Sequence, residues 1–182
     1  MGKNSAFSFY KIPLLISLTL GVVISALGVE RDPLQISFIF VGTFLGAFVL
    51  DLEYVLNAIF VEPQKDFSKT LMAFIRHSDF ANAIKHIQYH KDEIKEKSLN
   101  SALFQIVIAL VSIFVVFSTR SYFPKALVLS TFANTMYVMF EYYYGNRLDE
   151  WFWTFKTKPG KQGFMIYVAA LVFIFCYCLY IL

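Results

Sequence analysis

The hydrophobic positions of the chain fall into five long apolar runs. Each run reaches the roughly 17 to 25 residues that a helix needs to cross the hydrocarbon of a bilayer. Continuous runs of this length are typical of membrane helices and differ from the alternating pattern of membrane β-strands. The sequence therefore predicts an all-α polytopic membrane bundle with five transmembrane helices, at about residues 12–29, 34–60, 101–118, 124–144 and 163–182.

The segment 62–98 lies between the second and third runs and is dense in Lys, Asp, Glu and His. Its apolar residues recur at spacings of three and four, as Phe67, Leu71 and Phe74 show, which indicates amphipathic helices. Helix-start residues near Asp79 predict two helices with a joint there. We expect this cytoplasmic helical insert either to rest on lipid headgroups or to cap the open end of the bundle.

The composition supports a membrane class and excludes an ordinary soluble domain. Of the 182 residues, 58% are hydrophobic and 19% aromatic, and the mean hydropathy is +0.58. The first run, about 18 residues long, exceeds the apolar core of roughly 7 to 15 residues in a signal peptide, so we interpret it as an anchor. The expected partners are the lipid bilayer and, as an open alternative, other membrane protein subunits.

The basic residues predict the orientation of the bundle. Thirteen Lys and Arg residues fall in the amino-terminal segment, the 62–98 insert and the 145–161 connection, whereas only three fall on the opposite side. Short loops rich in Lys and Arg stay in the cytoplasm, so the amino terminus is predicted inside and the carboxyl terminus outside. The net charge of +3 comes from these loops, and no base-reading or phosphate-binding motif accompanies it, so no nucleic-acid partner is expected.

Four polar residues gather near the cytoplasmic ends of the runs. Asp51, Asn100 and Glu141 are predicted at one depth, and Asn134 lies two turns before Glu141 on nearly the same helix face. We expect these four to line a shallow polar hollow. Asp51, Glu53 and Glu141 are the candidate catalytic residues, because carboxylates at membrane depth are usually functional. The alternative is that Asp51 is simply the first hydrated residue after a span.

Helical geometry separates the two neighbouring carboxylates. At 100° per residue, Gly42, Gly46, Glu53 and Asn57 share one face, while Asp51 points the opposite way. Small residues four apart allow close helix approach, so this face is predicted to pack on a neighbouring helix, with Asn57 bonded to Glu53. The stretch "VLDLEY" contains no Pro or Gly, so the sequence predicts no interruption of the helix there.

A pair of histidines in the insert is a weak candidate for a metal site. His86 and His90 lie four apart on one helix face, with His77 and Asp79 upstream, but a metal site needs further ligands. A metalloprotease motif would also require Glu where Ile87 stands. We therefore interpret the pair as solvated and expect no metal; the weak candidates for metal ligands are Asp51, Glu53, His86 and His90.

The stretches "LDLEY", "LNSALFQ" and "NTMYV" together resemble the inner-membrane metal-dependent hydrolase family and its small bacterial relatives. Members carry an Asp-x-Asp-His motif, a His beside a Ser, and a His-x-x-x-Asp motif at the corresponding places, and the resemblance covers most of residues 40–153. Asp51 matches the first Asp and Glu53 stands for the second. The other positions depart from the family pattern: Tyr54, Asn100 and Asn134 replace histidines, and Val138 replaces the last Asp.

The resemblance implies a protein of the bacterial cytoplasmic (inner) membrane that keeps the scaffold of a hydrolase without its chemistry and acts by binding or assembly, with no cofactor. Asn is a poor substitute for His as a ligand of zinc-like ions. One alternative is an active hydrolase of a lipid or other membrane-proximal ester at the cytoplasmic face. In that case Asp51 and Glu53 would bind a divalent metal ion and Glu141 would complete the site. A second alternative is a small transporter or channel subunit.

Overall fold

The structure, a computed structural model, describes residues 10–28, 32–90, 97–156 and 158–182. Every regular element in these ranges is a helix, so the all-α prediction is confirmed. In chain order the α-helices are α1 (Lys11–Leu27), α2 (Pro33–Gly46), α3 (Leu52–Leu56), α4 (Asp66–Arg76), α5 (Phe80–His90), α6 (Ala102–Ser118), α7 (Tyr122–Tyr144), α8 (Leu148–Trp151) and α9 (Lys161–Ile181).

Helix α7 lies at the centre of the bundle, in contact with α1, α2, α6, α8 and α9. Its closest neighbour is α2, because two glycines of α2 lie directly against the α7 backbone. A Cβ at Gly42 would lie 2.7 Å from the carbonyl oxygen of Phe123, and a Cβ at Gly46 would lie 2.7 Å from that of Leu127. Small residues at such a crossing let two helices approach until their backbones touch.

A buried polar seam runs along the same contact. Ser17 of α1 donates to the Ser130 hydroxyl of α7 (2.8 Å), and Ser130 donates to the Thr43 carbonyl of α2 (2.7 Å). The side-chain amide of Asn134 donates to Ser17 (3.1 Å). These bonds join three helices through side chains that apolar packing alone would leave unsatisfied.

The chain between α2 and α4 stays helical but changes its winding. After Gly46 the amides of Ala47 and Phe48 bond three residues back rather than four, and Val49–Asp51 form a 3₁₀ turn. Helix α3 follows, and a π turn then covers Asn57–Val61. The expectation of uninterrupted α-helix was wrong. Because 3₁₀ and π turns have different numbers of residues per turn, faces counted at 100° per residue do not hold across this segment.

The insert forms two helices, as predicted, with the joint where the sequence placed it. Ser78 has a positive φ of 56° between α4 and α5, and the Asp79 carboxylate accepts the Asn82 amide (3.2 Å) at the start of α5. The apolar faces of α4 and α5 bury Leu71 and Ile87 together with Tyr54 of α3. The insert therefore packs against the α2–α3 end of the bundle.

The outer surface of the bundle is strongly apolar. Large hydrophobic side chains are exposed on α1, α2, α6 and α9. Among the described residues, two helical stretches, Pro33–Val61 and Lys161–Ile181, are long and apolar enough to cross a membrane. Two further apolar helices, Lys11–Leu27 and Ala102–Ser118, are shorter.

Candidate functional site

A cavity of about 430 Å³ lies at one end of the bundle, where the start of α1, the α2–α3 segment, the chain before α6 and the end of α7 meet. The structure brings together in it the four residues predicted to share a polar hollow: Asp51, Asn100, Asn134 and Glu141. The rest of the lining is aromatic, basic and amide-bearing as well as apolar. It includes Tyr10, Tyr54, Gln88, Lys97, Tyr137, Val138, Tyr142 and Arg147.

Asp51 connects the start of α1 to the segment that follows α2. The Tyr10 hydroxyl, just before α1, donates to its carboxylate, and the Tyr10 ring also packs on Phe48 at 5.0 Å between centroids. Burial raises the pKa of the Tyr10 phenol above its ordinary range; the Asp51 charge acts in the same direction, and a hydrogen bond with Gln88 opposes it. Asp51 is half-buried and accepts the Tyr10 hydroxyl at the wall of the cavity.

Glu53 lies behind the cavity, with only 6% of the residue exposed. Its carboxylate accepts the backbone amides of Ser98, Leu99 (3.1 Å) and Asn100 (3.0 Å), and also the Asn100 side-chain amide (2.8 Å). The predicted bond with Asn57 was wrong, because the change of winding before α3 turns Glu53 toward the 98–100 segment instead. Both oxygens are thereby used to hold the chain that enters α6.

Asn100 and Asn134 stand at positions where the resembling hydrolase family carries histidines. The Asn100 side chain donates to the Leu50 carbonyl (3.3 Å) as well as to Glu53, so its amide group is fixed. The Asn134 amide nitrogen donates to Ser17 and to the Ser130 carbonyl (2.9 Å). The Asn134 oxygen Oδ1 is buried and has no hydrogen-bond partner in the described part of the chain.

Glu141 lies at the exposed rim of the cavity near the end of α7. Its carboxylate accepts the Tyr137 hydroxyl, one turn earlier, at 3.0 Å. Because Glu141 is exposed to solvent, its oxygens can accept additional donors from a molecule in the cavity.

The cavity is also lined by two basic residues, Lys97 and Arg147, that the sequence analysis did not predict there. Lys97 is only 3% exposed; its ammonium donates to the Tyr142 hydroxyl (3.0 Å) and lies 5.6 Å from the centre of the Tyr54 ring. Arg147 stacks over Tyr142 at 5.1 Å and pairs with Glu150 at 2.7 Å. Both come from connections rather than from apolar runs. The available signal was their distance along the chain, three residues before Asn100 and six after Glu141.

The histidine pair of the insert, His86 and His90, is held by contacts within α4 and α5. The His86 ring stacks on Phe67 at 4.9 Å, and its Nε2 lies 3.1 Å from the Phe67 carbonyl oxygen. His90 Nδ1 lies 2.9 Å from the His86 carbonyl oxygen. The description of these side chains as solvated was wrong, because the α4–α5 contact half-buries them.

The donor set does not fit the metal site that the hydrolase resemblance implies. Within the described ranges no three His, Cys, Asp or Glu side chains are grouped as metal ligands. Glu53 would have to give up four N–H bonds to coordinate an ion, and Asp51 already accepts Tyr10. His86 and His90 lie in the insert, where His86 stacks on Phe67 and contacts the His90 ring.

Positions quoted for the resemblance nevertheless meet in space: Asp51, Tyr54, Asn100, Asn134 and Val138 all line the cavity, and Glu53 contacts Asn100 from behind. Comparison of the chain with protein-family profiles, curated protein sequences and solved structures found no match.

Proposed function

We propose that this chain is an integral membrane protein that acts by binding a small polar group in its cavity, without catalysing a reaction. In this proposal five segments cross the bilayer: α1, the α2–α3 segment, α6, α7 and α9. The cavity then lies at the cytoplasmic boundary of the membrane, under the α4–α5 insert.

The apolar exterior supports the membrane location. Leu15, Phe114 and Phe173 are each at least 64% exposed and lie on three different helices. Exposed apolar surface of this extent is not typical of a soluble monomer. Interior polar side chains, such as the Ser17–Ser130 pair, are instead bonded within the bundle, as a lipid environment requires.

The basic residues around the cavity support its location on the cytoplasmic side of the membrane. Lys11, Lys97, Arg147 and Lys161 all lie at or just before the helix ends on this side, and the insert adds further basic residues. The positive-inside rule therefore supports a cytoplasmic cavity.

The observation that carries the choice of binding over catalysis is the environment of Glu53. A carboxylate with both oxygens bonded to N–H groups is occupied as a structural anchor and is poorly suited to ligate a metal. The neighbouring cavity remains open, with both charges and amides in its lining. The cavity can therefore hold a small molecule, whereas the candidate metal ligand Glu53 is bonded to N–H groups of the protein itself.

Metal analysis of protein extracted from membranes tests this proposal. The protein should remain in the pellet after alkaline carbonate washing, and should hold far less than one equivalent of zinc, manganese or iron after incubation with each ion. Asp51→Asn and the matched surface change Asp149→Asn should show the same low metal content. Stoichiometric metal that Asp51→Asn removes and Asp149→Asn retains would instead favour a hydrolase, and release by carbonate would contradict the membrane location.

A further inference from the structure

A second space that bears on the ligand lies beside the cavity: an apolar groove on the outside of the bundle. This groove, of about 460 Å³, lies between α1 and α2 and is lined by Leu14, Ser17 and Leu18 of α1 and by Thr43, Phe44 and Leu45 of α2, among others. On α1 these residues directly follow Tyr10 and Pro13 of the cavity lining, and on α2 they directly precede Ala47 and Leu50. Ser17 of the groove accepts the side-chain amide of Asn134, which lines the cavity, so the two spaces are neighbours.

The two compartments have opposite polarity. The groove exposes almost only apolar side chains at its walls, whereas the cavity holds charged and amide groups. A polar cavity at the membrane boundary, with an apolar groove beside it one turn deeper, matches an amphiphile with its head group in the cavity and an acyl chain in the groove.

The charged residues of the cavity indicate which kind of polar head group the amphiphile carries. Asp51 and Glu141 contribute two carboxylates to the lining, and Lys97 and Arg147 contribute two cations, of which Arg147 is also paired with Glu150 outside the lining. A zwitterion satisfies such a lining better than an ion of either sign. Lysine and arginine bind phosphate groups, while carboxylates accept the N–H bonds of an ammonium.

Asn134 adds an independent indication of a donor ligand. It is 1% exposed, it lines the cavity, and its Oδ1 has no hydrogen-bond partner in the part of the chain that the structure describes. A buried acceptor of this kind costs stability unless a donor reaches it. A primary ammonium can donate three such bonds, whereas a quaternary ammonium can donate none.

We infer that the cavity and the α1–α2 groove together bind one phospholipid with a primary amine in its head, of the phosphatidylethanolamine class. The phosphate lies toward Lys97 and Arg147, the ammonium bonds Glu141 and Asn134 Oδ1, and one acyl chain lies in the groove. This inference rests on the proposed function and specifies its ligand.

Native mass spectrometry of the full chain tests the head-group preference. The protein is reconstituted in an equimolar mixture of phosphatidylethanolamine, phosphatidylcholine and phosphatidylglycerol with identical acyl chains, and the lipids retained after detergent extraction are counted. We expect retention of the ethanolamine lipid to exceed that of the other two by about tenfold. Glu141→Gln should abolish most of this preference, while Asp149→Asn, the same charge change at an exposed site outside the cavity, should preserve it.

The groove is tested by a pair of tryptophan substitutions on α1. Leu18→Trp fills the groove, and Leu15→Trp is its control on the same helix outside the groove; the two leucines are 59% and 64% exposed, so both variants should fold. Only Leu18→Trp should lower retention of the diacyl lipid, again by about tenfold. It should leave binding of soluble glycerophosphoethanolamine unchanged.

Three results would overturn the inference: equal retention of all three lipids, preference for phosphatidylcholine or phosphatidylglycerol, or binding of the soluble head group as tight as that of the lipid. An integral, metal-free protein that gives any of these keeps the proposed function and loses only its lipid ligand. Carbonate release or Asp51-dependent metal would instead remove the proposed function itself.

Discussion

The side-chain amide of Asn100 donates to the carboxylate of Glu53 at 2.8 Å, across 47 residues of chain. These are two of the positions at which the resembling hydrolases carry a metal-ligating Asp and His. Here the two side chains bond to each other, and the backbone amides that precede α6 donate the remaining hydrogen bonds to the carboxylate. A contact of this kind stabilises the connection between α3 and α6 and leaves the neighbouring cavity to serve another purpose.

Replacement of Glu53 by Gln should destabilise the bundle markedly. The amide group that replaces one oxygen cannot accept the N–H bonds now made there, so at least one buried donor loses its partner, at a cost of about 2 kcal/mol. Thermal unfolding in detergent, monitored by circular dichroism, measures the change. Glu62→Gln, which breaks only an exposed pair with Lys65, is the control and should change stability by less than about 1 kcal/mol. Equal stability of the two variants would contradict the anchoring role of Glu53.

Alanine at Gly42 or Gly46 should separate α2 from α7. Each new Cβ would meet a backbone carbonyl oxygen at 2.7 Å, and backbone cannot move aside as a flexible side chain can. We expect a loss of about 1–3 kcal/mol for each variant in the same unfolding assay. Gly160→Ala is the matched control because nothing lies within 4 Å of its Cβ position, and it should unfold like the unchanged protein.

His86→Ala should loosen the insert, contrary to the near-silent effect that a solvated histidine would predict. The substitution removes the ring that stacks on Phe67 and its hydrogen bond with the Phe67 carbonyl, both of which join α4 to α5. Hydrogen exchange of α4 and α5 amides should become faster, while exchange in α7 stays unchanged. His77→Ala, at an exposed position in the same insert, provides the comparison. Unchanged exchange in His86→Ala would restore the solvated interpretation.

Burial of the Tyr10 phenol beside Asp51 should make the stability of the folded protein decrease in alkali. The pKa of Tyr10 is raised in the folded protein, so the phenol stays protonated there after the unfolded chain begins to ionise near its ordinary value of about 10. The stabilisation is therefore fully present below about pH 10 and decreases above it. Tyr10→Phe cannot ionise at this position, so the stability advantage of the unchanged protein over this variant should shrink between about pH 8 and pH 11. An advantage that is constant or grows over this range would show that the phenol is not held protonated.

Reporter fusions should show the cavity end in the cytoplasm. The 13-to-3 distribution of basic residues predicts that a phosphatase fused after Leu182 is active outside, and that a fluorescent protein inserted after His90 folds inside. A phosphatase that is inactive after Leu182 but active after His90 would reverse the topology.

The helical class can be deduced from the sequence alone, because long apolar runs leave helices as the main way to bury backbone polar groups in lipid. The sequence also placed the joint of the insert at Asp79 and grouped Asp51, Asn100, Asn134 and Glu141, since helix periodicity and the ends of apolar runs can be read from local residues. Only the tertiary structure decided the partner of Glu53. That partner depends on how the 3₁₀ turn rotates α3 and on where a segment 45 residues away passes, and neither can be deduced from local pattern.

The positions of Lys97, Arg147 and His86 were decided in the same way. Lys97 and Arg147 belong to connections that read as exposed, and His86 belongs to a charged helix. The burial of Lys97 follows from packing against Tyr54 and Tyr142, and that of His86 from packing against Phe67, all distant in sequence. Arg147 contacts nearby Tyr142, but its place at the cavity depends on how the end of α7 meets the other helices. Long polar side chains can extend over aromatic rings when the fold brings the rings to them, so their surroundings are a property of the assembled bundle.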